Sequence, residues 1–195
     1  MKDLSYYKEI IKEKLSKKRF EHSLRVAETA LEMAKGRGLD EEQVHLAALL
    51  HDYAKDLPSD ELLRIGREKG IILYKAEEVQ PDLLHGPVGA WLLKQELEIT
   101  DEAVLQAIRY HTTGHYPMTE LDKIIYLADL LEPGRTYEGI ASLRAICAEN
   151  IDKGLLFAFD STLRYVLERK MLIHPLTVEA RNWLLLQLHD NFNDE

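Results

Sequence analysis

Apolar residues recur at helical spacing along nearly the whole chain, and no stretch alternates with a sustained period of two. That pattern restricts the fold to an all-α helical bundle. Leu4, Tyr7, Ile10, Ile11 and Leu15 mark a first helix over about 4–16, and Phe20, Leu24, Ala27, Leu31 and Ala34 a second over about 18–36, ended by Gly36 and Gly38. Asp40 followed by Gln43 reads as a capping box for a third helix running through His51. A short helix starts at Pro58-Ser59 and stops near Gly70, and residues 71–84 are less regular. Pro87 suits the first turn of a helix reaching about Leu97. Thr100 is expected to cap the next, which runs through His111, and Thr119 the one after it, which Pro133-Gly134 stops. Apolar periodicity returns over about 139–149 and 152–171. The break at His174-Pro175-Leu176-Thr177 precedes a last helix carrying Trp183, Leu184, Leu186 and Leu188.

With 195 residues, 46% of them hydrophobic, the chain can bury one core, and nothing in it reads as a linker, a repeat or a low-complexity tract. The expectation is a single domain over 1–195, with the site within about 18–135 and C-terminal helices over 139–190 completing the bundle. The single cysteine, Cys147, excludes a disulfide framework and a cysteine zinc finger, and fits a reducing cytoplasm. The start, Met1-Lys2-Asp3-Leu4, lacks the apolar core of a signal peptide, and no apolar run is long enough to span a bilayer. A net charge of −9 argues against a nucleic-acid polymer as partner. It still admits a small phosphorylated ligand, because a bound metal inverts the local field.

Within this pattern the dipeptide His51-Asp52 stands out. An apolar run, Ala47-Ala48-Leu49-Leu50, leads straight into an imidazole and a carboxylate, and Lys55 follows. A buried charge is costly unless it is paired or bound to a metal. Asp129 raises the same question, because Ala128 and Leu130 flank it in a nearly all-apolar helix; it turns to solvent, pairs with an arginine or holds a metal. His22, His85 and His111 are each unremarkable alone. Together with the dipeptide they form an ordered set of nitrogen and oxygen donors on predicted helices. Such a set suits Fe, Zn, Ni, Co or Mn better than Mg or Ca. Lys55 and Arg135 are cations near enough in sequence to reach a phosphate that the set would bind. His45, His115 and His189 fall outside it. Tyrosines and tryptophans serve either the core or base stacking.

The order His22, His51-Asp52, Asp129 resembles the HD superfamily of metal-dependent phosphohydrolases. The wider set comprises His22-Ser23-Leu24-Arg25-Val26, His51-Asp52-Tyr53-Ala54-Lys55-Asp56, Leu84-His85-Gly86-Pro87, Tyr110-His111-Thr112-Thr113-Gly114 and Ala128-Asp129-Leu130-Leu131-Glu132-Pro133-Gly134-Arg135. It is similar to the bacterial YqeK family of symmetrical diadenosine tetraphosphate hydrolases, from about residue 5 to residue 190. The resemblance implies an HD-domain fold and a binuclear iron site. His22, His51, Asp52 and Asp129 would hold one metal and Asp52, His85 and His111 the other, with Asp52 bridging. It further implies hydroxide attack on an inner phosphorus, yielding two ADP, with Asp52, Lys55 and Arg135 as catalytic groups. Substrate contacts would come from His22, Asp52, Tyr53, Ala54, Lys55, His85, His111, Thr112, Asp129, Arg135 and the segment Ile173, His174, Pro175, Leu176 and Thr177. The implied ligands are diadenosine tetraphosphate, ADP and other nucleoside diphosphates, and a homodimer is open to such a chain. Competing readings are another HD nucleotidase, dNTPase or phosphodiesterase, a di-iron HD oxygenase, and a non-catalytic nucleotide-binding module.

Overall fold

The computed structural model describes residues 3–193, all of whose regular structure is helical. The expectations that touch Met1, Lys2, Asp194 and Glu195 lie outside the described residues. Eleven α-helices follow in order among the described residues: α1 (Leu4–Lys14), α2 (Lys17–Ala34), α3 (Glu41–Leu50), α4 (Ser59–Glu68), α5 (Lys75–Val79), α6 (His85–Glu96), α7 (Glu102–Tyr110), α8 (Glu120–Leu131), α9 (Ile140–Glu149), α10 (Ile151–Glu168) and α11 (Pro175–Asn193). A 3-10 helix, Pro81–Leu84, leads into α6. None of these helices is long and apolar enough to cross a membrane.

Two helices are apolar nearly all round, and they lie at the centre. In α3, Val44 and every residue from Leu46 to Leu50 are buried, and in α8 so is every residue from Leu121 to Ala128. A helix without a polar face has to be surrounded. Accordingly α2 packs on both α3 and α8, and α7 packs on α3, α6 and α8. Helices α9, α10 and α11 add a second tier, with Phe159 and Leu155 fully buried on α10.

The helix ends show where local pattern gives way to tertiary contacts. Asp40 caps α3 by accepting from the N–H groups of Glu42 and Gln43, as the sequence suggests. Gln43 does not reach back to complete a capping box; its amide donates to Asp101 Oδ2 at 2.8 Å and ties the starts of α3 and α7 together. Asp101, not Thr100, caps α7, because its carboxylate accepts from Ala103 and Val104 N–H. Thr119 caps α8 in a full capping box with Asp122. The irregular region 71–84 contains α5 and the 3-10 helix, both too short to give a periodic signal.

Candidate metal centre

The expected helix through His51 stops one residue earlier. From Leu50 the chain continues in successive turns, with Tyr53 N–H bonding Leu50 O at 3.0 Å, Lys55 N–H bonding Asp52 O at 2.9 Å and Leu57 N–H bonding Ala54 O at 3.1 Å. His51 closes α3 and its Nδ1–H donates to Ala48 O at 2.7 Å. His111 repeats the device at the end of α7, donating to Ile108 O at 2.7 Å, and His85 donates to Asp82 O. His22, in the middle of α2, turns Nδ1 to Glu132 Oε1 at 3.2 Å. A carbonyl or carboxylate oxygen can only accept, so each of these four rings carries its proton on Nδ1. The lone pair of each Nε2 is left facing the interior.

The four Nε2 atoms surround Asp52. Its Oδ1 lies 3.4 Å from His85 Nε2 and 3.8 Å from His111 Nε2, while Oδ2 lies 3.6 Å from His51 Nε2 and 3.7 Å from His22 Nε2. Asp129 Oδ1 lies 3.0 Å from His22 Nε2 and 3.9 Å from His51 Nε2. Thus the structure brings together all six residues His22, His51, Asp52, His85, His111 and Asp129. All but Asp129 are buried. Gly86 makes part of this approach achievable. A Cβ there would stand 2.7 Å from Arg109 O and 3.0 Å from Ile108 O, so only glycine lets α6 lie this close to α7 and set His85 beside His111.

Charge is unevenly balanced in this cluster. Burial pushes the imidazolium form of His111 down to about 3 and lowers His51 as well. Burial opposes ionisation of Asp52, but His51, His85 and His111 outweigh it and hold its carboxyl well below the usual range. For Asp129, burial is likewise overcome, by the His22 imidazole 3.0 Å away and by His51 and Arg135. Both acids are therefore carboxylates, and burial keeps His51 and His111 beside them neutral.

These residues fit a metal. His22 Nε2 and His51 Nε2 are buried with no hydrogen-bond partner among the described residues, and each such orphan costs about 1–3 kcal/mol. His85 Nε2 and His111 Nε2 stand 2.9 Å apart with lone pairs opposed, and only a proton or a cation relieves that opposition. Thr112 Oγ1, 3.3 and 3.2 Å from the same two nitrogens, has one proton for both. Two groups, His22 with His51 and Asp129, and His51 with Asp52 and His111, each offer donor atoms within 4.8 Å of one another. Imidazole nitrogen with carboxylate oxygen is a transition-metal donor set.

Around the cluster, Lys55 sits on the rim with Nζ 2.8 Å from Asp82 Oδ2 and 3.4 Å from His85 Nδ1. Arg135 donates from Nε to Asp129 O at 2.9 Å and pairs with Asp129 Oδ1. Tyr53 and Ala54 do not bring their side chains to the cluster. The turn after Leu50 sends them into the core, where the Tyr53 hydroxyl donates to Glu96 Oε2 at 2.6 Å. In the C-terminal segment, Thr177 Oγ1 donates to Thr113 O at 2.9 Å, two residues from His111. His174 is buried against Tyr74 with Nε2 3.4 Å from Glu77 Oε1, so its ring is already engaged, whereas Ile173 and Leu172 are exposed. Pro175 and Leu176 open α11, where Leu176 N–H donates to His174 Nδ1 at 3.3 Å.

Three groups outside the expected set, Arg19, Arg25 and Glu132, also act on the cluster. Arg19 donates to Asp52 Oδ2 at 3.1 Å. Glu132 orients His22 and is itself held by Arg25 Nε at 2.6 Å and Gly134 N–H at 2.6 Å. Burial opposes its ionisation, yet Arg25, Gly134 N–H and His22 bring its pKa down to about 2. Arg19 and Arg25 stand three residues before and after His22, so they share its helix face, and that spacing was the available signal.

Comparison with known proteins identifies the family. The family model described as HD domain matches residues 19–134, from Arg19 to the turn after α8. A protein of Halalkalibacterium halodurans is 38% identical over 182 residues, covering 92% of this chain and 95% of its own length. One of Bacillus subtilis is 34% identical over 175 residues, covering 90% and 94%. Both are named symmetrical bis(5'-nucleosyl)-tetraphosphatase. A crystal structure from Clostridium acetobutylicum, described as a predicted HD superfamily hydrolase involved in NAD metabolism, is 38% identical. It superposes with a TM-score of 0.91 over 96% of this chain and 99% of that one. With its His-Asp dipeptide at the centre of the donor cluster, the chain belongs to the HD domain family and is similar over nearly its whole length to relatives named symmetrical bis(5'-nucleosyl)-tetraphosphatase.

Proposed function

We propose that the protein hydrolyses diadenosine tetraphosphate symmetrically to two ADP at a binuclear metal centre, with iron as the metal. The observation that carries the reading is the division of Asp52, whose Oδ1 faces His85 and His111 while Oδ2 faces His22 and His51. One carboxylate between two sets of Nε2 donors suits two ions that share it. His22, His51, Asp52 and Asp129 would hold one, and Asp52, His85 and His111 the other. When bound, such a pair supplies Lewis acidity, which lowers the pKa of water towards neutrality and offsets charge on the phosphoryl oxygens. The family likeness favours iron; zinc, manganese, nickel and cobalt suit the same donors.

In the reaction, a water oxygen bonds to an inner phosphorus and the bond from that phosphorus to the central bridging oxygen breaks. One ADP leaves, the other keeps the new oxygen, and a proton is released. The chain's own part is positioning and charge. The Nδ1–H bonds to Ala48 O, Ile108 O, Asp82 O and Glu132 hold the four imidazoles in one tautomer and one orientation. Lys55, on the Oδ1 side, and Arg135, beside Asp129, offer cations to phosphate oxygens on either side of the scissile bond. The backbone of Tyr53 and Ala54, the Thr112 hydroxyl and the segment 173–177 complete the berth for one nucleotide. On this reading the chain forms one HD domain and works in the cytoplasm, where its lone Cys147 stays reduced.

The test joins metal analysis to product identification on the iron-loaded protein. ADP as the sole nucleotide product supports the proposal. AMP with ATP, or no turnover in fully loaded protein, overturns it.

A further inference from the structure

A symmetrical cut of a symmetrical molecule places equal halves on opposite sides of one bond. Asp52 divides the site in the same way. On its Oδ1 side stand His85, His111 and Lys55, with Thr112 and the chain that Thr177 anchors close by. On its Oδ2 side, a separate groove of about 400 Å³ opens between the start of α2 and the turn joining α8 to α9. Small-molecule sites run from about 300 to 1,000 Å³, so the groove is large enough for one nucleotide.

Its lining suits that ligand. Lys18, Arg19, Arg25 and Arg135 line it in a chain whose net charge is −9; Arg19 pairs with Asp52, Arg25 with Glu132 and Arg135 with Asp129, so Lys18 adds a cation beyond these pairs. Arg19 reaches Asp52 Oδ2 at 3.1 Å, so the cationic wall is continuous with the reacting centre. His22, with its buried and unpartnered Nε2, forms the inner end. Lys18 is exposed and has no ion-pair partner among the described residues. At the outer end stands Tyr137, whose hydroxyl donates to Leu130 O at 3.1 Å. That bond fixes a ring that is still 40% exposed. A run of cations leading from the metal cluster to an anchored aromatic face matches a diphosphate followed by a base.

We propose that this groove binds the second nucleoside diphosphate half of the substrate, with its phosphates on Lys18 and Arg19 and its base against Tyr137. The proposal rests on the hydrolysis reading above. It gives the symmetrical product pattern a structural origin, because the halves lie on the two sides of Asp52 and the central bridge lies over it.

The experiment is steady-state hydrolysis of diadenosine tetraphosphate by Lys18→Glu, Tyr137→Ala and Tyr137→Phe in the iron-loaded protein, with metal content measured alongside. Lys18→Glu and Tyr137→Ala are expected to raise KM about tenfold, the scale of one stacked base or one charge-assisted contact. In both, kcat stays within about twofold and metal content is unchanged, since the lost contacts hold ground state and transition state alike. Tyr137→Phe keeps the ring but loses the bond that fixes it, and is expected to raise KM less than Tyr137→Ala. A wild-type KM in either Lys18→Glu or Tyr137→Ala overturns the proposal. Failure of the wild type to release ADP sinks the hydrolysis reading itself, a result visible before any variant is made.

Discussion

Gly86→Ala tests whether helix approach, and not the donor residues alone, builds the site. A Cβ at position 86 meets Arg109 O at 2.7 Å and Ile108 O at 3.0 Å. Ordinary contact begins near 3.4 Å, so α6 has to retreat from α7 by about 0.7 Å, and both obstacles are backbone atoms with no rotamer to change. Overpacking of this kind costs roughly 1–3 kcal/mol, and replacing a helical glycine by alanine returns at most about 1 kcal/mol. The net is a destabilisation of up to about 3 kcal/mol, or up to about 12 °C in Tm for a chain of this size. The same shift separates His85 from His111, and misplacement approaching 1 Å in a positioned site costs on the order of 10²-fold in rate. Gly89→Ala is the control on the same helix. Its Cβ meets Ala54 at 3.6 Å, an ordinary contact, so that variant is expected to match or exceed wild-type stability and to retain activity. Thermal unfolding and hydrolysis of diadenosine tetraphosphate, measured on both variants, decide the matter. If Gly86→Ala is as stable and as active as Gly89→Ala, the close approach of α6 and α7 does not position His85.

Asp52→Ala removes both oxygens that face the histidines, and it is expected to lower metal content as well as activity. The loss should exceed the 10–100-fold typical of outer-shell partners, and wild-type activity with full metal would rule out a shared carboxylate. Glu132→Gln weakens the acceptor at His22 Nδ1 and is expected to reduce metal affinity about 10–100-fold in competition with a chromophoric chelator; an unchanged affinity refutes the orienting role. Asp122 gives the pH prediction. Burial opposes its ionisation, but hydrogen bonds from His115, Thr119 N–H and the Thr119 hydroxyl hold its pKa below 3.8. A depressed carboxyl contributes stability that is fully present above its unfolded pKa and lost as pH falls through the folded one. Urea unfolding from about pH 5 down to about pH 2 should therefore show a steeper acid loss in the wild type than in Asp122→Asn, and equal slopes would contradict the linkage.

How much of this was legible in the sequence depended on how local each determinant is. Helices α3 and α8 could be read because Leu46–Leu50 and Ile124–Ala128 are continuous apolar runs, and burial follows from having no polar face. The end of α3 at Leu50 could not, because it is fixed by turns closing after His51 and by an imidazole bond to Ala48 O that a histidine at a helix end is not obliged to make. Asp101 displaced Thr100 as a cap because a carboxylate one residue later reaches the same N–H groups, a choice between two good caps that pattern alone does not resolve. The contact of Thr177 with Thr113 spans 64 residues, and no local signal announces it.

The site was legible in a different sense. Each histidine taken singly has an ordinary explanation; the set has only one economical explanation, because four Nε2 lone pairs converge on two carboxylates that remain ionised. Neighbouring residues on a helix point about 100° apart, so the sequence by itself implies that His51 and Asp52 serve different positions. The structure reaches the same inequality by another route. His51 is locked back onto α3 through Nδ1, while Asp52, one step into the turn, projects between the histidines of α2 and α3 and those of α6 and α7. What the sequence could not supply was the direction of each carboxylate oxygen. It is that direction, Oδ1 towards one pair and Oδ2 towards the other, that gives the cluster two sides, and on the proposed reading it is what would place a two-sided substrate.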